Sequence, residues 1–395
     1  MNKQMPVTIA IVLVLLAGAV GFGAGYVVYN NSGEEQPTGV IDAVGRSVQI
    51  PDSLDDGIVT VGVDTLRFVS YFNLNEKVVM VDAGDKSPTQ NGKAYQYAYG
   101  YYTDANLTSH THNGLPSADI EAIGNLQPSL IIVSHTVYNN FKVNCDILAK
   151  SFNLVVIYEL SEESFMTENY TLDDDFIFQV ELLGQIFQME DRAQELIDGI
   201  NGFFTEIRDL VDGRTSNESV YLAGTAVAGA RALDWTVGNF VSLELVGGNN
   251  AYTGSTSAVA LDIGPEAVGD LDFDIAFVDP TSFGMIIDNT DSQAVLEYFE
   301  SSGVDIYVMM PYFWFGCNFD NVIANAYYLA YVLYDGIYNQ SVMMGYINGV
   351  YEFFYGDNGT DVFTKMDARF TGVTVSLPLL TQVEVVDGKS LAVVV

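Results

Sequence analysis

Short runs of unbroken apolar residues alternate along this chain with longer stretches of helical period. IVTVG, VVMVD and LIIVS carry no polar interruption, the pattern of strands buried on both faces of a parallel sheet. Residues 64–72 and 118–126 fall between them and read as helices. Residues 173–188 are helical in period, and residues 190–212 place Ala193, Leu196, Ile197, Ile200, Phe204 and Ile207 on one face of a second, longer helix that ends at Gly213. A second set of elements opens with SVYLAG, passes through residues 240–252, reaches a strand at 306–310 and closes with helices over 321–334 and 340–355. VIDAVGRSVQIP reads as a short hairpin turned at Gly45, whereas residues 86–113, rich in tyrosine, show no period and read as a long loop region of the kind that carries function. Strands alternating with helices predict an α/β fold.

One segment occurs twice. EAIGNLQPSLIIV begins at Glu121 and EAVGDLDFDIAFV at Glu266, an offset of 145 residues, and the Glu, Ala, Gly, Leu and final Val are identical in an ungapped alignment. Helix, turn and buried strand is a common cassette, yet a cassette that only forms core has no need of a carboxylate at the same place in both copies. An offset near the size of a small domain predicts two related α/β halves.

The N-terminus carries no charged side chain between Gln4 and Gly33, and residues 6–29 are almost wholly apolar, enough to span a bilayer as a helix. Small residues in AGAVGFGAG leave a cleaved signal as the alternative to an anchor. Lys3 before the span and Glu34 and Glu35 after it orient the N-terminus inward and the rest of the chain outward. NNSGEEQPT follows as a polar linker. The formal charge of −36 excludes nucleic acid as a partner, because so acidic a surface repels it. Asn106, Asn169, Asn217, Asn339 and Asn358 head N-x-S/T triplets that fit an exported glycoprotein. Cys145 and Cys317, one in each half, are expected to be buried free thiols.

Catalytic motifs are missing from the sequence: there is no G-x-x-x-x-G-K-[ST], no G-x-S-x-G, no H-E-x-x-H and no CxxC. The three histidines are the remaining chemistry. His110 and His112 lie two apart in SHTHNG, a spacing that points both rings the same way in an extended segment, and His135 follows a buried strand. They would serve either as metal ligands or, more simply, as contacts to a bound molecule.

At this point several segments resemble a known family, the substrate-binding proteins of importers for iron chelates and cobalamin. Residues 40–83 resemble its opening hairpin, strand, helix and second strand, SADIEAIGNLQPSLIIVS resembles its "N-L-E-A-I-x-x-L-x-P-D-L-V-I" segment with Asp119 and Ser129 as departures, and LLGQIFQMEDRAQELIDGI resembles the entry to its interlobe helix. NFDNVIANAYYLAYVLY resembles a C-terminal segment of archaeal members, so that the likeness runs from Val40 to about Gly356. The resemblance implies two Rossmann-like lobes linked by one long rigid helix, preceded by the N-terminal transmembrane helix: anchor or signal 1–30, linker 31–39, first lobe 40–189, linking helix 190–212 and second lobe 213–395. A single stiff helix implies little closure on binding. The family further implies no enzymatic activity and no cofactor, a metal-chelate ligand, and an ABC permease and its ATPase as partners of a monomer held outside the cell membrane. By motif position Glu121 and Glu266 correspond to the glutamates that meet permease arginines. Ligand contacts are expected in the cleft from Asp64, Tyr102, His110, His112 and His135 in the first lobe, and from Arg231, Trp235, Trp314 and Phe315 in the second. A surface metalloenzyme using the histidines, and a surface structural protein that binds nothing, stand as alternatives.

Overall fold

The computed structural model describes residues 39–87, 92–101, 104–226, 229–286, 288–370 and 377–394. The apolar span expected over residues 1–30 lies outside these, and no helix among the described residues is long and apolar enough to cross a membrane.

The chain opens with an antiparallel hairpin, β1 (Gly39–Ile41) against β2 (Ser47–Gln49), turned at Gly45 with φ 78°. The unbroken apolar runs then become strands of a five-stranded parallel sheet: β3 (Ile58–Val61), β4 (Val78–Asp82), β5 (Thr108–His110), β6 (Leu130–Ser134) and β7 (Asn153–Ile157), in the order β5-β4-β3-β6-β7. Both faces are covered. Leu130 and Ile132 of β6 join one apolar cluster, while Ile131 and Val133 join another beneath helices Ser117–Leu126 and Lys142–Leu148. A strand buried on both sides has no polar alternation to show, which is why these runs were recognisable as continuous hydrophobic text.

The second sheet is built from β8 (Ser219–Ala223), β10 (Asn249–Asn250), β12 (Ile275–Val278), β13 (Asp305–Val308), β14 (Thr381–Val386) and β15 (Ser390–Val393), with β9 (Trp235–Thr236) and β11 (Leu261–Asp262) forming a small ribbon apart. Its order is β10-β8-β12-β13-β14-β15, parallel up to β13 and antiparallel beyond. The last hairpin, absent from the sequence reading, turns on Asp387 and Gly388 with φ 54° and 64°, an Asp-Gly pair flanked by apolar alternation. Residues 86–113 also differ from expectation. They contain helix Ala94–Tyr99, of which residues 94–98 are buried, and a helix covered on nearly every side presents no amphipathic period.

Each copy of the repeated segment forms the same unit. Helices Ser117–Leu126 and Pro265–Asp270 lead to β6 and β12, each of which is flanked by strands on both sides of its sheet. Ile123 and Val268 are fully buried, and Glu121 and Glu266 are exposed.

Helix Glu190–Val211 lies between the sheets in the chain and, at about 1.5 Å per residue, its 22 residues span roughly 33 Å. Glu190 and Asp191 in its first turn and Arg208 in its last match the helix dipole, and its apolar stripe from Ala193 to Val211 is buried. That stripe belongs to one continuous cluster reaching from Ile58 and Leu130 of the first sheet to Val220 and Phe277 of the second. A core shared in this way resists relative motion of the sheets. At another crossing, Gly92 sits so close to Pro311 that a Cβ would fall 2.2 Å from it, and the Gly92 carbonyl accepts from Asn321 Nδ2 over 2.9 Å.

Candidate ligand-binding site

A cleft of about 780 Å³ opens where the strands of both sheets end. From the first half it is lined by Asp64, Gly84, His112 and Glu159, and from the second by Phe313, Trp314, Phe315 and Gly316 among others. Crevices at the carboxyl ends of parallel strands are where open α/β sheets take ligands. A second concavity of about 690 Å³, lined by Arg46, Ser47, Lys150 and Asn153, lies at the strand-beginning end of the first sheet and draws on that half alone. The cleft fed by both halves is the better candidate.

Asp64 precedes helix Thr65–Tyr71 in the left-handed region at φ 66°, a conformation that costs a non-glycine residue about 1–2 kcal/mol and that Asp tolerates better than most. Its surroundings hold it there. Oδ1 pairs with Arg67 Nη1, and Oδ2 accepts from the Leu160 amide over 3.0 Å. Arg67 Nη2 donates to the carbonyls of Trp314 and Phe315 over 3.4 and 3.3 Å and to Asn318 Oδ1 over 3.1 Å. An arginine of the first half thus grips the aromatic wall of the second from below. Gly316, at φ 97°, permits that approach, because a Cβ there would lie 2.1 Å from Asp64 Oδ1.

Asp82, at the end of β4, is fully buried and accepts from the Gly84 amide over 2.7 Å, the Asn113 amide over 2.8 Å and His112 Nδ1 over 2.9 Å. A carboxylate acceptor at Nδ1 keeps a proton on that nitrogen and fixes the orientation of the ring. The His112 side chain is 58 % exposed and stands 5.2 Å from the Phe315 ring. Behind this wall, burial pushes the Asp85 carboxyl up to about 6 and the Lys93 ammonium down to about 8, each opposed by the charge of the other. Asp85 Oδ1 accepts from Tyr95 Oη over 2.7 Å, and Lys93 donates to the Gly84 carbonyl over 2.5 Å with its Nζ 5.3 Å from the Phe315 ring.

A second tie crosses between the halves at Glu162. Its Oε1 accepts from the Val241 amide over 2.7 Å, its Oε2 meets Tyr312 Oη, and Tyr312 Oη donates to the Ala258 carbonyl over 3.0 Å. Burial pushes this carboxyl up to about 8. Tyr312 Oη donates to Glu162 Oε2 when the carboxyl is ionised, and a protonated Glu162 can instead donate to Tyr312 Oη while that hydroxyl donates to Ala258.

The residues expected in the cleft divide on inspection. Asp64, His112, Trp314 and Phe315 line it. His110 is only 4 % exposed, and both its ring nitrogens face carbonyls, Nε2 that of Thr60 over 2.8 Å and Nδ1 that of Thr111 over 3.0 Å, so it does not line the cleft. His135 starts helix His135–Asn140 and lies beside Asn139 and Tyr158, next to but not in the lining. Arg231 stacks over Trp235 at 4.6 Å, and neither lines the cleft, although neighbouring Gly229 does. Tyr102 lies outside the described residues. Among the described residues no three His, Cys, Asp or Glu side chains are grouped to hold a metal ion. Cys145 and Cys317 are buried and unpaired. Arg67, Asp82, Lys93, Glu159 and Glu162 lie outside the set expected from the sequence. Arg67 is signalled only as a charge inside an otherwise apolar stretch, and Glu162, set among Glu159, Ser161, Glu163 and Ser164, is not signalled at all.

Two α/β sheets meet at one cleft, and helix Glu190–Val211 shares with both of them a single apolar cluster. The model of the periplasmic binding protein family matches residues 73–299, and the chain belongs to that family, whose members bind solutes and are not enzymes. Among solved structures the chain is similar to the molybdate periplasmic binding protein MolA of Haemophilus influenzae, with 17 % identity, 80 % of this chain and 97 % of that one covered, and a TM-score of 0.59. It is likewise similar to a periplasmic solute binding protein of Veillonella parvula, with 14 % identity, coverage of 84 % and 99 %, and a TM-score of 0.58. An ABC transporter solute binding protein of Sulfurospirillum deleyianum aligns with 16 % identity, coverage of 84 % and 100 %, and a TM-score of 0.54. At these identities the likeness is one of fold. No curated protein sequence matches the chain.

Proposed function

We propose that this protein is the extracytoplasmic solute-binding component of an ABC importer and that it captures a metal chelate, siderophore-like or cobalamin-like, for delivery to the permease. The observation that carries the reading is the composition of the cleft: an aromatic wall of Phe313, Trp314 and Phe315 faces His112, whose ring Asp82 holds at Nδ1. Flat aromatic area suits the organic shell of a chelate, and an imidazole nitrogen suits its polar edge or open coordination position. Asp64 and Glu159 add acidic edges to the lining. In this reading residues 40–189 and 213–395 are the two lobes, helix Glu190–Val211 is the strut, residues 1–30 hold the monomer at the membrane, and Glu121 and Glu266 meet the permease.

Trp314 gives the test. The chain has two tryptophans and only Trp314 lines the cleft, so a ferric siderophore or a corrinoid bound there is expected to quench most of its emission. Titration of the Trp235→Phe variant should show saturable quenching, weakened at least tenfold in affinity by a further His112→Ala change. Absence of saturable quenching with both chelate classes, together with no metal or chelate mass in protein purified gently from its source cells, would sink the proposal.

A further inference from the structure

We propose that Asn106, Asn169, Asn217, Asn339 and Asn358 are attachment sites for N-linked oligosaccharide, and that none of the attached chains obstructs the cleft. The sequence motif alone is weak, since Asn-x-Ser/Thr triplets arise by chance. The structure adds exposure, free amide nitrogens and a placement away from the cleft, taken together. All five of these asparagines are exposed. Asn73, Asn113, Asn125, Asn139, Asn140 and Asn249, which head no triplet, are exposed as well, whereas Asn318, Asn321 and Asn325 are buried and Asn144, Asn153 and Asn201 are partly covered.

Their amide nitrogens are also unoccupied. Among the described residues no hydrogen bond engages the Nδ2 of any of the five; Asn339 uses only its Oδ1, which accepts from the Val342 amide over 3.0 Å as the cap of helix Gln340–Tyr355. Placement follows a pattern as well. Asn106 and Asn217 each stand two residues before a parallel strand, β5 and β8, and therefore at the strand-beginning ends, opposite the cleft. Asn339 follows helix Phe319–Leu333, whose start lies against the cleft floor and whose end points away from it. Asn169 lies in the turn closed by the Met166–Leu172 bridge, and Asn358 in the turn after helix Gln340–Tyr355. None of the five lines the cleft.

The transfer would use a lipid-phosphate-linked oligosaccharide as donor. The asparagine Nδ2 attacks the anomeric carbon, a C–N bond forms as the C–O bond to the lipid phosphate breaks, the phosphate leaves with the electron pair, and a base of the transferase takes the amide proton. Such chains add neutral hydrophilic bulk to exposed turns. The inference rests on the extracytoplasmic placement proposed above, because that is where the donor chemistry would meet the chain.

The test is peptide mapping by mass spectrometry on full-length protein from its source cells, paired with protease accessibility on intact cells. Saccharide mass is expected on the peptides holding Asn106 and Asn217. Thr108→Ala should abolish the shift at Asn106, Thr108→Ser should retain it, and Asn106→Gln should leave the circular dichroism spectrum unchanged. A chain reached by protease on intact cells yet unmodified at both Asn106 and Asn217 overturns the inference alone, as does a shift at Asn106 that survives Thr108→Ala. A chain protected in intact cells overturns the placement and this inference with it.

Discussion

Arg67 and Asn318, 251 positions apart, meet beneath the cleft, where Nη2 of the arginine donates to Oδ1 of the asparagine over 3.1 Å. The same guanidinium holds Asp64 and two carbonyls of the aromatic wall, so one side chain sets the ligand-facing loop of the second half against the first helix of the first. The floor of the site is thereby built into the contact between the halves, and the cleft is shaped before a ligand arrives.

Removing that cation should cost far more than a surface charge. Arg67 is 1 % exposed and Asp64 is 2 % exposed, so Arg67→Met strands a buried carboxylate, a change typically worth about 3–5 kcal/mol. Equilibrium denaturation should show a loss of that order for Arg67→Met and a smaller one for Asp64→Asn with Arg67→Met, since the double change removes the uncompensated charge. Equal losses in single and double variants would mean that Arg67 acts by packing alone. With the halves clamped here and sharing one apolar cluster, scattering with and without ligand should differ little.

Glu162 should make the contact between the halves pH-dependent, with a definite sign. Its carboxyl titrates at about 8 when folded and near its ordinary 4.5 when unfolded, so between those values the folded protein carries the extra proton. Stability from this site is complete below about pH 4.5, declines as pH rises and is gone above about 8. In Glu162→Gln the amide nitrogen donates to Tyr312 Oη and the amide oxygen still accepts from Val241, with nothing to titrate. The melting temperature of Glu162→Gln minus that of the parent should therefore rise from pH 5 to pH 8.5. A difference that stays level, or falls, would place the titration elsewhere.

How far the chain could be read from its letters depended on whether the information was local. The strands β3, β4, β6 and β12 and helix Glu190–Val211 were legible because burial on both faces, or on one stripe, leaves a mark within a single window of sequence. Helix Ala94–Tyr99 was not, since near-complete burial erases its period, and the Asp387–Gly388 hairpin carried a plain turn signal that went unread. The site was half legible. His112, Trp314 and Phe315 were found as chemistry looking for a place, but the Arg67 clamp joins residues too distant in sequence for any local pattern to announce. His110 shows the converse: two positions from His112 in sequence, it is buried away from the cleft lining, with the carbonyls of Thr60 and Thr111 at its two nitrogens.

The repeated glutamates remain, and their geometry makes their role testable. Glu121 and Glu266 are exposed on helices that lead into flanked strands of their respective sheets, and neither lines the cleft. Neither contributes to the core, which in both copies is served by Ile123 and Val268 instead. If they meet arginines of a permease, each exposed pair contributes roughly 0.2–1 kcal/mol and a desolvated interface pair more, so Glu121→Ala with Glu266→Ala should weaken docking beyond either change alone. The two positions belong to different sheets, and their small effects on folding should add. Calorimetric titration of the double variant with chelate should give the parent's affinity, while uptake by the reconstituted transporter should fall. Normal uptake with normal docking, or a loss of chelate affinity, would show that the second copy of the segment repeats architecture and nothing more.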